Sequence, residues 1–492
     1  MGILSANFSY NRSNEFNIKG AVGNYTQKEM TFLMKTGIAA QYSAKHRRRS
    51  NLSDLIWAAC WISISVVIAL FLADRGIAEM RTSAGFWTGI GQITGLIGTD
   101  LLLIQLILAS RLPWIDKSLG HDRAMEVHKQ LGKPVLILLM LHATTLTVGY
   151  GLSDKLSFIP EALSMLQTVP DMLTAILGLG LIFAIVISSL VIVRRKLDYD
   201  VWFIIHLTAY VAVMASIPHQ FSAGGMFEVG TLARWYWITL YVIAGGSIAI
   251  FRFFKPLVSS IRHSIVVTEI RKEADNVITL TVTGKDIHLL KAKGGQFFIW
   301  RFLEPGLWWH SHPFSLSASP TSDSLRITIR ALGHGSEKIQ NIKVGTRVLL
   351  EGPYGIFTEE SRTSNNIVLV AAGIGITPIR ALLEEAQFQP GQATVIIRKT
   401  QHDNYLLDEV RDLAERRGAT LHVLSGKRSQ DETLWTPDNP FQGRKDLSSI
   451  VPNLIDSDLY VCGPSSWSRL VVKDAEKSGL SRHQIHWERF NW

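Results

Sequence analysis

The chain has 492 residues, 47% of them hydrophobic and only 18% charged, with a net charge of +9. A typical soluble domain is about a quarter charged, so this composition excludes a disordered chain and disfavours a wholly soluble one. Two cysteines, Cys60 and Cys462, exclude a disulfide framework, a four-cysteine iron–sulfur cluster, a four-cysteine zinc site within one chain and c-type haem attachment.

The length predicts about three domains. Residues 1–50 hold eight Lys/Arg against two Glu and end in Lys45-His46-Arg47-Arg48-Arg49 before an apolar run. That placement reads as a membrane flank, and no nucleic-acid partner is expected. Residues 1–50 show no clear period and read as a flexible cytoplasmic tail. Because they are long and polar, the first apolar run is not expected to be a cleaved signal.

Six apolar runs follow: Leu55–Ala73, Phe86–Ser110, Leu131–Tyr150, Met172–Val193, Val201–Ile217 and Trp235–Phe254. Each approaches the roughly 20 residues a bilayer crossing needs. They predict a multi-pass domain over 51–256 in the lipid bilayer. One set of loops holds Arg111, Lys117, Arg123, Arg194, Arg195, Lys196, Arg252 and Lys255, and the other only Arg75, Arg81 and Lys155. The richer set belongs inside, which places both termini in the cytoplasm. The absence of a presequence suits a bacterial plasma membrane.

Intramembrane histidines are functional candidates by default. His128 and His142 sit on the third run, His206 and His219 on the fifth. Their separations correspond to about 21 and 20 Å along two helices running the same way. His128 can then face His206 near the inner side and His142 face His219 near the outer side. Two haem irons with two axial imidazoles each would satisfy all four; the blander reading makes each a packed or interhelical hydrogen-bonding residue. Thirteen residues leave His219 about 140° from the face of His206, and Pro218 is expected to kink or end the helix and re-aim the ring. His121 reads as solvated or interfacial.

Past Pro256 the pattern changes. Ser264–Val267, Asn276–Val282, Gln296–Trp300, Leu325–Arg330 and Thr346–Leu350 read as short strands of a small antiparallel β-barrel over 260–360. From Asn366 strands and helices alternate: Ile367–Ala371, helix Ile379–Gln387, Ala393–Ile397, helix Tyr405–Arg417, Thr420–Leu424, Leu459–Cys462 and Ile485–Arg489. That order predicts an α/β parallel-sheet domain over 364–492. Gly373 and Gly375, between strand and helix, allow backbone N–H groups to approach a phosphate, with Pro378 suited to the first helical turn.

His312-Pro313-Phe314-Ser315 resembles the flavin-binding element of the ferric reductase and NADPH oxidase superfamily. Gly295-Gln296-Phe297, Arg330 with Gly333 and Ser336, and Gly352-Pro353-Tyr354-Gly355 are similar to the rest of its FAD domain. Gly373-Ile374-Gly375-Ile376-Thr377-Pro378 and Cys462-Gly463-Pro464 resemble its nicotinamide-binding elements, and the paired histidines its two b-type haem sites. The resemblance implies that His312, Pro313, Phe314 and Ser315 hold the isoalloxazine, and that Arg330, Gly333 and Ser336 hold the diphosphate. It also assigns Gly373, Gly375, Thr377, Pro378, Cys462, Gly463 and Pro464 to the nicotinamide cofactor. Cys462 and Phe490 are its implied catalytic positions, with Phe490 favoured over Trp492 as the aromatic cover of the flavin. Residue by residue, Arg330 can be an exposed strand residue, Ser336 a helix cap and Cys462 an apolar filler. Arg398, Lys427 and Arg428 after the second and third strands of the sheet favour NADPH over NADH; Lys427 and Arg428 read equally as solvated surface.

Together these imply a transmembrane oxidoreductase. Electrons would pass from NAD(P)H through FAD and two b-type haems to a small-molecule acceptor outside, ferric iron or dioxygen, near residues 151–170 and 218–233. Two other readings stay open. One is a membrane-anchored flavin reductase working in the cytoplasm. The other is a proton or metal transport or sensing module with a regulatory flavin domain. No partner subunit is specified by the sequence.

Overall fold

The computed structural model describes residues 27–74, 76–197, 199–223, 225–400, 404–427, 434–437 and 446–489. Among them six helices are long and apolar enough to cross a membrane: Arg47–Ala73, Ser83–Ala109, His121–Asp154, Met172–Ser189, Asp200–Ala223 and Leu232–His263. Large apolar side chains such as Leu173, Met214 and Val242 are exposed on the outside of this bundle, an arrangement tolerable where lipid replaces water.

Several boundaries differ from expectation: the third span already begins at His121, ten residues before Leu131, and three others have a physical reason. The first helix begins at Gln27, so 27–50 is not a flexible tail; no proline interrupts it, and extending an existing helix is far easier than nucleating one. The sixth span continues through a π-helical segment, Ile248–Phe254, and Pro256 to His263, because proline is tolerated in the first turn of the resumed helix. The fifth helix passes through Pro218 to Ala223 and does not end there; proline is accommodated inside spanning helices when neighbouring groups satisfy the freed carbonyl.

After His263 come β1 (Val266–Ala274), β2 (Val277–Thr283), β3 (Phe297–Phe302), β4 (His312–Ser315), β5 (Ser324–Arg330) and β6 (Val348–Tyr354). They form two antiparallel sheets, β1-β2-β5 and β4-β3-β6. Single bridges at Val266–Arg347 and Leu316–Ile327 stitch the sheets into a closed ring. Closure removes free sheet edges, and Leu280, Phe298, Trp300, Phe302 and Ile327 fill the interior.

The last domain is a five-stranded parallel sheet in the order β11-β10-β7-β8-β9. Its strands are β7 (Asn366–Ala372), β8 (Ala393–Lys399), β9 (Thr420–Ser425), β10 (Ser457–Gly463) and β11 (Ile485–Arg489). Ile367, Leu369 and Ala371 of β7 pack with helices Ile376–Glu385 and Leu407–Arg417 on one face, while Val368 and Val370 pack with Val471 and Ala475 on the other. A strand covered on both faces reads as a continuous apolar run, as Ile367–Ala372 of β7 does.

Salt bridges fasten the three domains together. Glu409 receives Arg326 at 2.8 Å, Arg380 at 2.5 Å and also Arg271, joining the barrel to the parallel sheet. Burial raises the Glu409 pKa, but the hydrogen bonds from Arg326 and Arg271 outweigh it and hold the carboxyl down at about 2. Between membrane and barrel, Arg111 pairs with the buried Glu351 of β6, which also accepts from the Tyr354 hydroxyl at 3.1 Å. The Arg111 guanidinium lies 5.5 Å from the Tyr354 ring centroid, and His121 stacks on that ring at 5.4 Å. His121 is therefore buried at the domain junction and not solvated. Removing one partner of a buried pair strands the other charge, at a cost of about 3–5 kcal/mol. Glu351→Ala should accordingly lower the thermal midpoint of the full-length protein in detergent, and an Arg111→Met/Glu351→Leu pair should recover most of the loss. Equal midpoints for wild type and Glu351→Ala would show that the junction does not depend on this pair.

Candidate functional site

The second and third spans pack face to face, and the second span supplies carbonyl oxygens to the histidines of the third. His128 Nδ1 lies 3.0 Å from the carbonyl oxygen of Gln105, whose side-chain amide donates back to the His128 carbonyl at 3.1 Å. His142 Nδ1 lies 2.8 Å from the Gly91 carbonyl. A Cβ at Gly95 would collide with the His142 imidazole, so glycine there makes room for the ring. His219 Nδ1 lies 3.3 Å from the Pro170 carbonyl. A carbonyl only accepts, so in all three rings Nδ1 carries the proton and Nε2 keeps its lone pair, the arrangement metal-bound imidazoles favour.

The ring centroids of His128 and His206 are 6.0 Å apart. Two imidazoles bound through Nε2 to one metal, at about 2 Å each, would stand about 6 Å apart by the same measure. His142 and His219, at the other end of the same helices, lie within electrostatic range of each other. Among the described residues no three His, Cys, Asp or Glu converge as a metal site. Donors grouped two by two do not make an all-protein tetrahedral site, but they suit an iron whose other ligands come from a macrocycle. The residues present fit haem.

Asp100, fully buried in the second span, was not foreseen as a candidate. Its Oδ1 accepts from Ser63 Oγ at 2.7 Å, that hydroxyl is 2.8 Å from Tyr236, and Oδ2 has no hydrogen-bond partner. A lone acidic residue inside an apolar run was the available signal.

A cavity of about 2170 Å³ runs from His128 and His206, past Arg111 and Trp202, to His310–Phe314, Arg330, Gly333, Ser336 and Gly355, and on to Ile485–Glu488. At its barrel end, β4 pairs with β3 so that Trp300 faces His312 and Phe297 faces Ser315. Trp300 Nε1 donates to the Phe314 carbonyl at 3.1 Å, fixing the strand from behind. Ser315 Oγ and His312 Nε2 are both buried without hydrogen-bond partners, as expected where a polar ring edge completes the set. His312 stacks on Phe314 at 5.7 Å and 5°. Burial, then the charges of His310 and Arg301, push its pKa down to about 4.

The diphosphate candidates divide. Arg330 lines the cavity and its guanidinium reaches the vicinity of Gly373, bringing the barrel and the parallel sheet together. Ser336 Oγ accepts from the Leu332 and Gly333 amides at 2.9 and 3.1 Å, the capping role weighed for it above.

Beyond β7, Gly373 adopts φ +56°, and a Cβ at Gly375 would strike the Cys462 carbonyl. Glycine at 375 thus lets the β7 turn and the Gly463-Pro464 turn abut. Thr377 Oγ1 donates to the Ile374 carbonyl at 2.9 Å, and Pro378 is buried in the first turn of the following helix. Cys462 is fully buried opposite Glu488 of β11. Burial, then Glu488 and Asp122, raise its thiol well above the ordinary value, which excludes a standing thiolate. Burial and Asp122 likewise raise the Glu488 carboxyl. Arg398 ends β8 as a buried residue bonded to the Lys399 carbonyl, while Lys427 is exposed past β9. Phe490, Trp492 and Arg428 lie outside the described residues.

Comparison with known proteins divides the chain likewise. The ferric reductase like transmembrane component matches residues 94–217, an FAD-binding domain 262–358 and an oxidoreductase NAD-binding domain 369–473. Ferric/cupric reductase transmembrane component 1 of Candida albicans is 23% identical over 376 residues, 74% of this chain and 47% of that protein. A flavohemoprotein of Vibrio cholerae is 28% identical over 187 residues, 36% of this chain and 45% of that one. The chain thus spans about half the length of the curated relatives it matches. The solved FAD/NAD-binding domain of a nitric oxide dioxygenase from Vibrio cholerae is 22% identical, with a TM-score of 0.37, covering 46% of this chain and 98% of that one.

His312 titrates at about 4 in the fold against 6.5 ordinarily. A depressed folded value means that protonation favours the unfolded state, so this contribution is whole above 6.5 and declines as pH falls toward 4. Flavin retention, followed by the fluorescence of released FAD, should weaken across that interval, and His312→Gln should flatten the dependence. An unchanged pH profile in the variant would reassign the effect to another group.

Proposed function

We propose, from the chain's place in the ferric reductase and NADPH oxidase superfamily, that it carries electrons from cytoplasmic NAD(P)H across a plasma membrane to ferric iron or dioxygen outside. FAD and two b-type haems would serve as carriers. The observation that carries this reading is the single cavity with the facing His128 and His206 rings at one end and the β4 strand at the other. The basic loops support a cytoplasmic side for the barrel, the parallel sheet and both termini.

When bound, a flavin accepts a hydride and haem iron takes single electrons, so together they turn a two-electron donor into a one-electron current. The chain's own residues supply the arrangement. Gly373, Gly375, Cys462 and Gly463 shape a turn pair for the nicotinamide cofactor, and Arg398 with Lys427 offers positive charge to a ribose 2′-phosphate, which favours NADPH. His312 and Ser315 present unfilled polar atoms to the flavin, and Arg330 is a charge-assisted donor for its diphosphate. The carbonyls of Gln105, Gly91 and Pro170 hold His128, His142 and His219 with Nε2 free for iron. Held by His128 with His206 and by His142 with His219, haem groups would supply outer-sphere electron transfer in preference to direct ligand binding. His219 meets the Pro170 carbonyl just past helix Phe158–Thr168, and the acceptor would approach there.

A dithionite-reduced minus oxidised spectrum of the purified protein, with pigment quantitation, should give two haems and one flavin per chain. Absence of a Soret band would leave the proton or metal transport reading. His142→Leu should abolish reduction of a membrane-impermeant acceptor while NAD(P)H still bleaches the flavin. Full turnover in that variant would instead indicate a flavin reductase working on the cytoplasmic side alone.

A further inference from the structure

His206 differs from the other three histidines. Its Nδ1 is buried and has no hydrogen-bond partner, whereas His128, His142 and His219 each meet a backbone carbonyl there. An imidazole turns about a broad, roughly two-fold χ2, so a ring without such a bond needs another restraint to hold its plane. Trp202 stands one helical turn before it, at the i, i+4 spacing that brings side chains together. The two rings stack at 5.1 Å and 29°. The indole is itself fixed on two sides: its Nε1 donates to Ser189 Oγ at 3.1 Å, and the Arg194 guanidinium lies 4.7 Å from its centroid. A guanidinium over an indole face is an attractive contact. Both Ser189 and Arg194 belong to the end of the fourth span and the turn after it, so the clamp is anchored outside the helix it serves.

We propose that Trp202 is the positioning residue of His206. Its stacked face sets the imidazole plane so that Nε2 points across the cavity toward His128, doing by packing what carbonyl oxygens do for the other three rings. The inference rests on the haem reading above and adds to it a residue that touches neither iron nor substrate. It also makes the His206 side of the inner pair depend on side chains of the fourth span and its following turn, where His128 depends on the backbone of the second.

The test uses the full-length protein in detergent, with ferric optical and electron paramagnetic resonance spectra and the haem-to-protein ratio. Wild type should show only the low-spin signature of two imidazoles per iron; its absence would refute the haem reading itself. Trp202→Leu should convert one of the two haems to high spin, or lose it, and should let carbon monoxide bind that haem once reduced. Trp202→Phe, which keeps a stacking face, should restore the low-spin spectrum. A Ser189→Ala/Arg194→Gln pair keeps the indole but frees it, and should show partial conversion even if Trp202→Leu fails to assemble. Wild-type spectra and haem content in Trp202→Leu, or in the anchor pair should the leucine variant not assemble, overturn the proposal.

Discussion

An imidazole in lipid has two nitrogens to satisfy and no water with which to do it. The second span answers this for the third with its own backbone: the carbonyls of Gly91 and Gln105 are both spoken for by histidine rings. In a regular helix those carbonyls would bond only along the chain, and their spare lone pairs make the contact possible. Close approach of the two helices is the condition, and glycine at 95 supplies it. From this contact follow the tautomers of His128 and His142, each with its Nε2 left without the proton.

The junction below the membrane solves a different problem. A barrel that merely hung from a flexible tether would sit at no fixed distance from the inner pair of rings. Here Arg111–Glu351, the His121–Tyr354 stack and the 3.4 Å contact of His310 with Asp200 hold it from three directions. The Asp200–His310 contact joins the loop before β4 to the first turn of the helix carrying His206, so the flavin strand and an imidazole ligand candidate share one attachment. Arg49 adds a fourth, bonding the Ser118 carbonyl and the Ser361 hydroxyl at 3.0 and 3.2 Å. Apart from Tyr354 in Gly352-Pro353-Tyr354-Gly355 and Arg49 in the basic run, none of these side chains belongs to a motif singled out in the sequence.

What could be read from sequence was what repeats or alternates. The six apolar runs, the barrel strands and the β–α alternation all have periods set by local geometry, and each reappears, though the first, third, fifth and sixth spans run well past their expected bounds. Strand β11 is met at both ends. Boundaries at proline were misread because Pro218 and Pro256 are each compatible with helix, one within a span and one in a first turn. The facing of His128 and His206 was legible because expensive residues in lipid stand out against their background. Trp202, Arg111, Glu351 and Asp100 were not singled out, since tryptophan and arginine near a span end look like interface anchors and a single aspartate carries no spacing. Their roles come from what lies beside them across the chain, which one-dimensional pattern does not encode.

The sixth helix is a direct mechanical connection, running from Leu232 to His263 with its far end seated against β6, where Ser260 Oγ accepts from the Leu350 amide at 3.1 Å. A spanning helix answers a change in hydrocarbon thickness by tilting, and a tilt here would swing the barrel as a lever swings its load. The π-helical segment Ile248–Phe254 is the supple part of that lever. Lipid chain length would then act as a tuning screw on the separation between strand β4 and the His128–His206 pair, and measurements in vesicles of graded acyl length are where that gearing would be felt.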